Sequence, residues 1–286
     1  MHLLSMFVIN LDRSPKRLAL MHAQARVLGL RFERVPGVDG TEALPDWAVA
    51  QFLNQSGQSH TGLSKGEVGC YASHLLVMSK IVERGLEAAI ILEDDAVLDD
   101  SFARFVERAS RAVPDPWDCI HLSTRFKRPA FPIADLGAGR SLVRYMRQPI
   151  NSTAYMISLA GAAKLAAPRP RTRPFDVEFR QPWLSGLEMF GITPALVRPH
   201  EHLASTIDAD WKTHPSKANR RRATSRLQAL WKPGLASQIQ GWLYVLTRLG
   251  ITGTLHCWTI GLRKLRNAMI RSVVPSSPRL QKAKFR

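Results

Sequence analysis

Acidic residues stop at Asp210. All 23 Asp and Glu precede Trp211, while residues 212–286 hold 16 of the 40 Lys and Arg and no acid. The first 211 residues therefore carry +1, from 24 basic against 23 acidic side chains, and the last 75 carry +16. A pI near 10.6 describes that tail and not the body. Cysteine is scarce as well. Cys70, Cys119 and Cys257 are scattered and form no CxxC pair, which argues against a disulfide framework and a structural zinc site. No long uninterrupted apolar run exists; residues 235–262 come nearest, but Arg248 and several glycines break them. The opening Met1-His2-Leu3-Leu4-Ser5 has no basic leader or long apolar core, so no signal peptide and a reducing cytoplasm are expected.

What is present is the alternation of an α/β protein. Met6-Phe7-Val8-Ile9 reads as a buried strand. Ser14 and Pro15 then open a helix to about Leu28, with Leu18, Met21, Ala25 and Leu28 on one face. A strand over Arg31 to Val35 closes a βαβ unit. Ser64-x-x-Glu67 is a capping-box pattern for a helix carrying Val68, Tyr71, Leu75, Met78 and Val82. Further strands are expected at Ala88 to Leu92, Asp118 to Leu122 and Ala154 to Ser158, with helices from Ser101 to Ala112 and Gly161 to Ala167. Residues 125–150, rich in Arg, Pro and Gly, read as a long loop. The expected architecture is a mostly parallel sheet with helices on both faces. At 286 residues there is room for one such domain, 1–211, and a basic amphipathic helical tail, 212–286.

The densest chemical signal is Ile90-Ile91-Leu92-Glu93-Asp94-Asp95, an apolar run ending in three carboxylates. Such a run delivers its last side chains to the carboxyl end of a strand, where open α/β sheets bind ligands. Adjacent carboxylates repel one another unless a cation sits among them. Hard oxygen ligands suit Mg²⁺ or Mn²⁺ shared with a substrate phosphate, and Asp94 and Asp95 are the candidate ligands. Asp99 and Asp100 read as helix caps.

Other candidates gather around this motif. Asn10, Asp12, Arg13 and Arg17 lie where the first strand meets the first helix, a place that favours an anion. Asp39 and Gly40 follow the second strand, where an acid commonly meets a ribose. Gly66 and Gly69 occupy the first turn of a helix at a cost of about 1 kcal/mol each against alanine, which suggests a close approach by backbone or ligand. Cys70, His74 and Val77 share a stripe at helical spacing, with His74 either packed or ligand-binding.

In this order and approximate spacing the motifs resemble glycosyltransferase family 25, which includes bacterial lipooligosaccharide galactosyltransferases and collagen galactosyltransferases. The resemblance runs through Val8-Ile9-Asn10-Leu11-Asp12-Arg13-Ser14-Pro15-Lys16-Arg17, Val38-Asp39-Gly40, Gly66-Glu67-Val68-Gly69-Cys70-x-x-Ser73-His74, Ile91 to Asp95, Thr153 to Leu165 and Pro174-Phe175-Asp176, covering about residues 6–210. It implies a GT-A type, Rossmann-like mixed sheet and inverting transfer of a hexose, galactose foremost, from a UDP-sugar. It also places nucleotide-sugar carboxylates and metal ligands at Glu93, Asp94 and Asp95. Asp176 matches a family acid. Asn151-Ser152 stands where a Gly-containing approach is usual, and His200 about where a Gln is usual.

Inversion in one displacement needs a carboxylate to take the acceptor proton, for which Asp176 is the candidate, with Glu178 and Glu188 as rivals. The apolar stretch 235–262, with Trp242, Tyr244, Leu246 and Trp258 between basic flanks at Arg220-Arg221-Arg222 and Arg263-Lys264-x-Arg266, reads as an interfacial helix on anionic lipid. The alternative is a helical hairpin packed on the body. The expectation is a transferase peripheral on the inner face of a bacterial inner membrane, acting on a glycolipid or lipopolysaccharide-core acceptor. A glucosyl- or other hexosyltransferase is the alternative. A nucleic-acid-binding protein is the reading from another class, and no recognised motif supports it.

Overall fold

The computed structural model describes residues 4–124, 128–200 and 235–273. Its centre is an eight-stranded sheet in the order β2-β1-β3-β8-β5-β9-β7-β6. These strands are β1 (Ser5–Asn10), β2 (Glu33–Pro36), β3 (Ala88–Glu93), β5 (Cys119–His121), β6 (Ala130–Gly137), β7 (Arg140–Tyr145), β8 (Ala154–Ser158) and β9 (Met189–Thr193). A two-stranded antiparallel ribbon joins β4 (Ala96–Leu98) to β10 (Val197–Pro199).

Both faces of the sheet are covered, which is why β1 and β3 read as continuous apolar runs. Met6, Val8, Ile90 and Leu92 point to one core, closed by α1 (Pro15–Val27) and α4 (Phe102–Ala112). Phe7, Ala89 and Ile91 point to the other, closed by α2 (Asp46–Phe52), α3 (Lys65–Glu83), α5 (Leu159–Ala166) and α6 (Phe175–Arg180). The expected α/β class with helices on both faces is what the chain adopts. The mixed sheet that the resemblance implies is present, and only the mostly parallel order expected from the strand–helix alternation is corrected. Pairs β1–β2, β1–β3 and β5–β9 are parallel, whereas β3–β8, β5–β8, β6–β7 and β7–β9 are antiparallel. A strand inserted with reversed direction between two parallel sets leaves no trace in hydrophobic periodicity.

The 125–150 stretch is likewise not a long loop. It contains the β6–β7 hairpin, turned through Gly137, Ala138 and Gly139, all at positive φ. Two register shifts, at Pro132/Ala134 and Asp135/Gly137, break the alternation that would have revealed it.

The C-terminal helix α7 (Leu235–Val273) is kinked at Gly250, where φ is 65°. It lies on the body as the expected helical hairpin: the non-helical Gly250 separates two helical segments, and the Trp242 and Trp258 rings, which a continuous helix would hold about 24 Å apart, lie 6.4 Å apart between centroids. Val245, Leu249 and Cys257 bury against Phe131 and Met146. The Tyr244 hydroxyl donates to the Leu187 carbonyl at 2.9 Å, and Trp183 Nε1 donates to Ser237 Oγ at 3.1 Å. Arg248 pairs with Glu188. The opposite face leaves Trp242, Leu243, Leu246, Leu255, Trp258 and Leu262 exposed. No helix among the described residues is long and apolar enough to cross a membrane. The expected boundary at 211, and Arg220 to Arg222, lie outside the described residues.

Candidate functional site

The site forms at the carboxyl ends of β1 and β3, faced by the first turns of α3 and α6 and the residues entering β8. Asp94 is its anchor. It is 8% exposed, and both carboxylate oxygens are engaged: Asn10 Nδ2 donates to Oδ2 at 2.7 Å and Arg17 Nη1 to Oδ1 at 2.6 Å. Asn10 also donates to the Ser14 carbonyl at 3.0 Å and accepts from Arg34 Nε at 3.0 Å. The strand–helix handover is therefore organised around the acidic motif. Ser14 occupies the cap position of α1 without a side-chain capping bond. Asp12 pairs with Arg34, and Arg13 with Asp39, whose carboxylate also holds Thr41. Asp12 and Arg13 are largely solvent-exposed, where ion pairs contribute little stability.

The glycines serve close backbone approach. A Cβ on Gly69 would stand 2.6 Å from both Gly40 N and Val38 O, and one on Gly40 1.8 Å from Lys65 O. The loop after β2 thus lies directly on the start of α3. Ser73 reinforces the contact by accepting from Val38 N at 2.8 Å. Gly66 sits in the first turn beside Glu67, and the expected capping box between Ser64 and Glu67 is present in both directions.

His74 is the centre of the buried half of the site, 1% exposed. Its ring stacks on Phe175 at 4.1 Å between centroids, with the planes 3° apart. Nδ1 shares a hydrogen bond with the Tyr155 hydroxyl at 2.8 Å, and Nε2 lies 3.3 Å from Glu93 Oε1. Ser152 donates to the same Glu93 oxygen. Cys70, one helical turn before His74, completes a group whose ligating atoms all lie within 4.8 Å of one another.

Asp176, in the first turn of α6, joins this cluster electrostatically. Burial, then the charges of Glu93 and Glu67, hold its carboxyl up at about 6. Burial also pushes the Cys70 thiol well up, helped by Glu93, Asp176, Glu67 and Asp95. Four carboxylates thus act on one point at the strand end. The Asp95 backbone carbonyl accepts from His200 N at 2.8 Å, which ties β10 to the acidic motif.

The rival bases are committed elsewhere. Glu178 accepts from the Tyr71 hydroxyl at 2.9 Å and Arg169 at 3.1 Å, and Ser185 also binds it. Glu188 pairs with Arg144 and Arg248, which hold its carboxyl below the usual range against the opposing effect of burial. Glu178, expected as a second catalytic acid, is held by Arg169 and by the Tyr71 hydroxyl, which in turn accepts from the fully buried Arg171. Ser152, noted in the sequence only as a departure from the family pattern, and Tyr155 were not among the expected site residues. They reach Glu93 and His74 through the β3–β8 pairing, Leu92 opposite Ala154 and Ile91 opposite Tyr155, which no local pattern displays. Asn151 accepts from Ser123 Oγ at 2.9 Å.

Comparison with known proteins matches residues 3–172 to glycosyltransferase family 25 (LPS biosynthesis protein). The inactive glycosyltransferase 25 family member 3 of Mus musculus is 31% identical over 239 residues, covering 72% of this chain and 38% of that protein. A glycosyltransferase 25 family member of Drosophila pseudoobscura pseudoobscura is 31% identical over 182 residues, 60% of this chain and 28% of its own. Procollagen galactosyltransferase 1 of Danio rerio is 30% identical over 119 residues, 41% of this chain and 20% of its own. The chain thus spans at most about two fifths of the length of these relatives. A solved glycosyltransferase involved in glycosylation of the major capsid of PBCV-1 aligns with 74% of this chain and 99% of that chain, at 9% identity and a TM-score of 0.40, too loose a likeness to carry weight.

Proposed function

The chain belongs to glycosyltransferase family 25, and we propose that it moves a hexose, galactose foremost, from a UDP-sugar to a saccharide acceptor with inversion. The observation that carries this reading is Asp176, a carboxyl raised to about 6 beside the strand-end acids. A base near the working pH is ionised enough to accept a proton and basic enough to take one from a hydroxyl. Asp176 takes the proton of the attacking acceptor hydroxyl, while His74 and Ser152 hold Glu93 in place.

The family implies Mn²⁺ or Mg²⁺. The residues fit a cation by their donor set, the consecutive carboxylates Glu93, Asp94 and Asp95 at the end of β3. Asp95 would hold the ion, with Asp94 beside it kept in orientation by Asn10 and Arg17. When bound, such an ion neutralises charge developing on a departing diphosphate.

The acceptor is proposed to be a lipopolysaccharide- or lipooligosaccharide-core glycolipid at an anionic membrane face on the cytoplasmic side. The outer face of α7 supports this, with Trp242 45% and Trp258 52% exposed on a helix whose inner face is already used by the body. Basic charge in 212–286 complements anionic lipid.

The test is release of UDP from a panel of UDP-sugars by the full chain, with and without Mn²⁺ and with acceptor omitted. UDP release from one or two sugars, dependent on the metal, is expected. No release from any sugar would place this chain with the mouse relative whose name says inactive.

A further inference from the structure

We propose that Cys70, His74 and Glu93 form a binding site for a transition-metal ion of the zinc class, distinct from the hard-cation position at Asp95. The sulfur, one imidazole nitrogen and a carboxylate oxygen lie within 4.8 Å of one another. Around tetrahedral zinc, with bonds of about 2.0–2.3 Å, ligand atoms stand roughly 3.3–3.7 Å apart. His74 Nε2 and Glu93 Oε1, at 3.3 Å, already have that spacing. The sulfur comes from the same helix face one turn earlier, so a small rotamer adjustment closes the set.

The ligand chemistry selects the metal. A thiolate and an imidazole are poor partners for Mg²⁺ or Mn²⁺ and good ones for Zn²⁺ or Co²⁺. Three protein ligands leave one position open, the pattern of zinc sites that also hold water or substrate. The surroundings orient the donors in advance. Phe175 stacks on the imidazole and fixes its plane. The Tyr155 hydroxyl, 2.8 Å from Nδ1, accepts that proton and leaves Nε2 free to ligate, as outer partners of metal-bound histidines commonly do. Ser152 donates to Glu93 Oε1, the same oxygen that faces His74, and so fixes the carboxyl. On binding, the thiol proton passes to solvent and the sulfur–metal bond replaces the S–H bond. The lack of any CxxC pair concealed this arrangement, whose ligands come from one helix and from the end of a strand, 19 residues after His74.

The test uses the full chain, stripped by chelator and titrated with Co²⁺. A thiolate-to-cobalt charge-transfer band of one equivalent per chain is expected, displaced by Zn²⁺ and not by excess Mg²⁺. The band should vanish in Cys70→Ala, persist in Asp95→Ala, and appear at about 10–100-fold higher Co²⁺ concentration in Tyr155→Phe. X-ray absorption of the zinc-loaded wild type needs no variant and should show one sulfur at about 2.3 Å with nitrogen and oxygen neighbours. A shell without sulfur, a band that survives Cys70→Ala, or displacement by Mg²⁺ overturns the proposal. Loss of UDP-sugar activity in Asp95→Ala with the cobalt band intact leaves this site standing, so the two readings fail separately.

Discussion

Asp176 shows how one residue's surroundings set both chemistry and stability. Its carboxyl is held at about 6 in the fold against roughly 3.9 in an unfolded chain, so between these values the folded state binds more protons. Stability therefore falls as pH rises through that window, and Asp176→Asn, which removes the buried charge, should raise stability at pH 7 by roughly 1–3 kcal/mol. Chemical unfolding at pH 4 and pH 7 reads this, with little difference between wild type and variant expected at the lower pH. The same variant should lower turnover by about 10²–10⁴-fold. Arg17 is the opposite case. With side chains only 12% and 10% exposed at Arg17 and Asp94, removing one partner leaves a charge without its ion pair. Arg17→Met should cost about 3 kcal/mol, and urea unfolding should show much of it recovered in the double variant with Asp94→Asn.

At the scale of elements, the contact between the loop after β2 and the start of α3 decides whether the site assembles. Gly69→Ala places a Cβ at 2.6 Å from two backbone atoms that cannot swing aside, so a loss of about 2 kcal/mol and a displaced His74 are expected. Thermal unfolding and the His74 ring resonances would report it. Such features were legible in sequence to unequal degrees. Ser64 and Glu67 announce a capping box because both bonds are local, and the apolar run of β3 announces a doubly covered strand because each alternate residue meets a core. Gly69 announced a close approach without saying to what. The β6–β7 hairpin was hidden by Pro132 and two register shifts, and the reversed direction of β8 has no periodic signature. Ser152 reaches Glu93, and Tyr155 reaches His74, through that strand, so a pairing invisible in sequence carried half of the site with it.

Across the whole molecule, α7 packs on the body and bears the exposed face for which lipid docking is proposed, two readings that the sequence presented as alternatives. Its inner face is part of the body through Phe131, Met146 and Trp183, so a chain ending before Leu235 should lose stability and expose that apolar surface. Its outer face is exposed, and the proposed lipid contact rests on it. Trp242→Ser together with Trp258→Ser should leave the melting temperature close to wild type while weakening binding to phosphatidylglycerol vesicles about tenfold or more. Binding of the unaltered chain should weaken steeply with salt, since screening shortens to about 8 Å at physiological ionic strength. Equal vesicle binding in the double variant would remove the membrane from the account.

The central claim is that the strand-end acids hold the donor and Asp176 performs the proton transfer. Calorimetric UDP binding in the presence of Mn²⁺, run beside sugar transfer for Asp95→Ala and Asp176→Asn, tests it most directly. The account predicts that Asp95→Ala loses UDP binding, whereas Asp176→Asn binds UDP like the wild type and barely transfers. Undiminished UDP binding in the first variant, or near-normal transfer in the second, would contradict it.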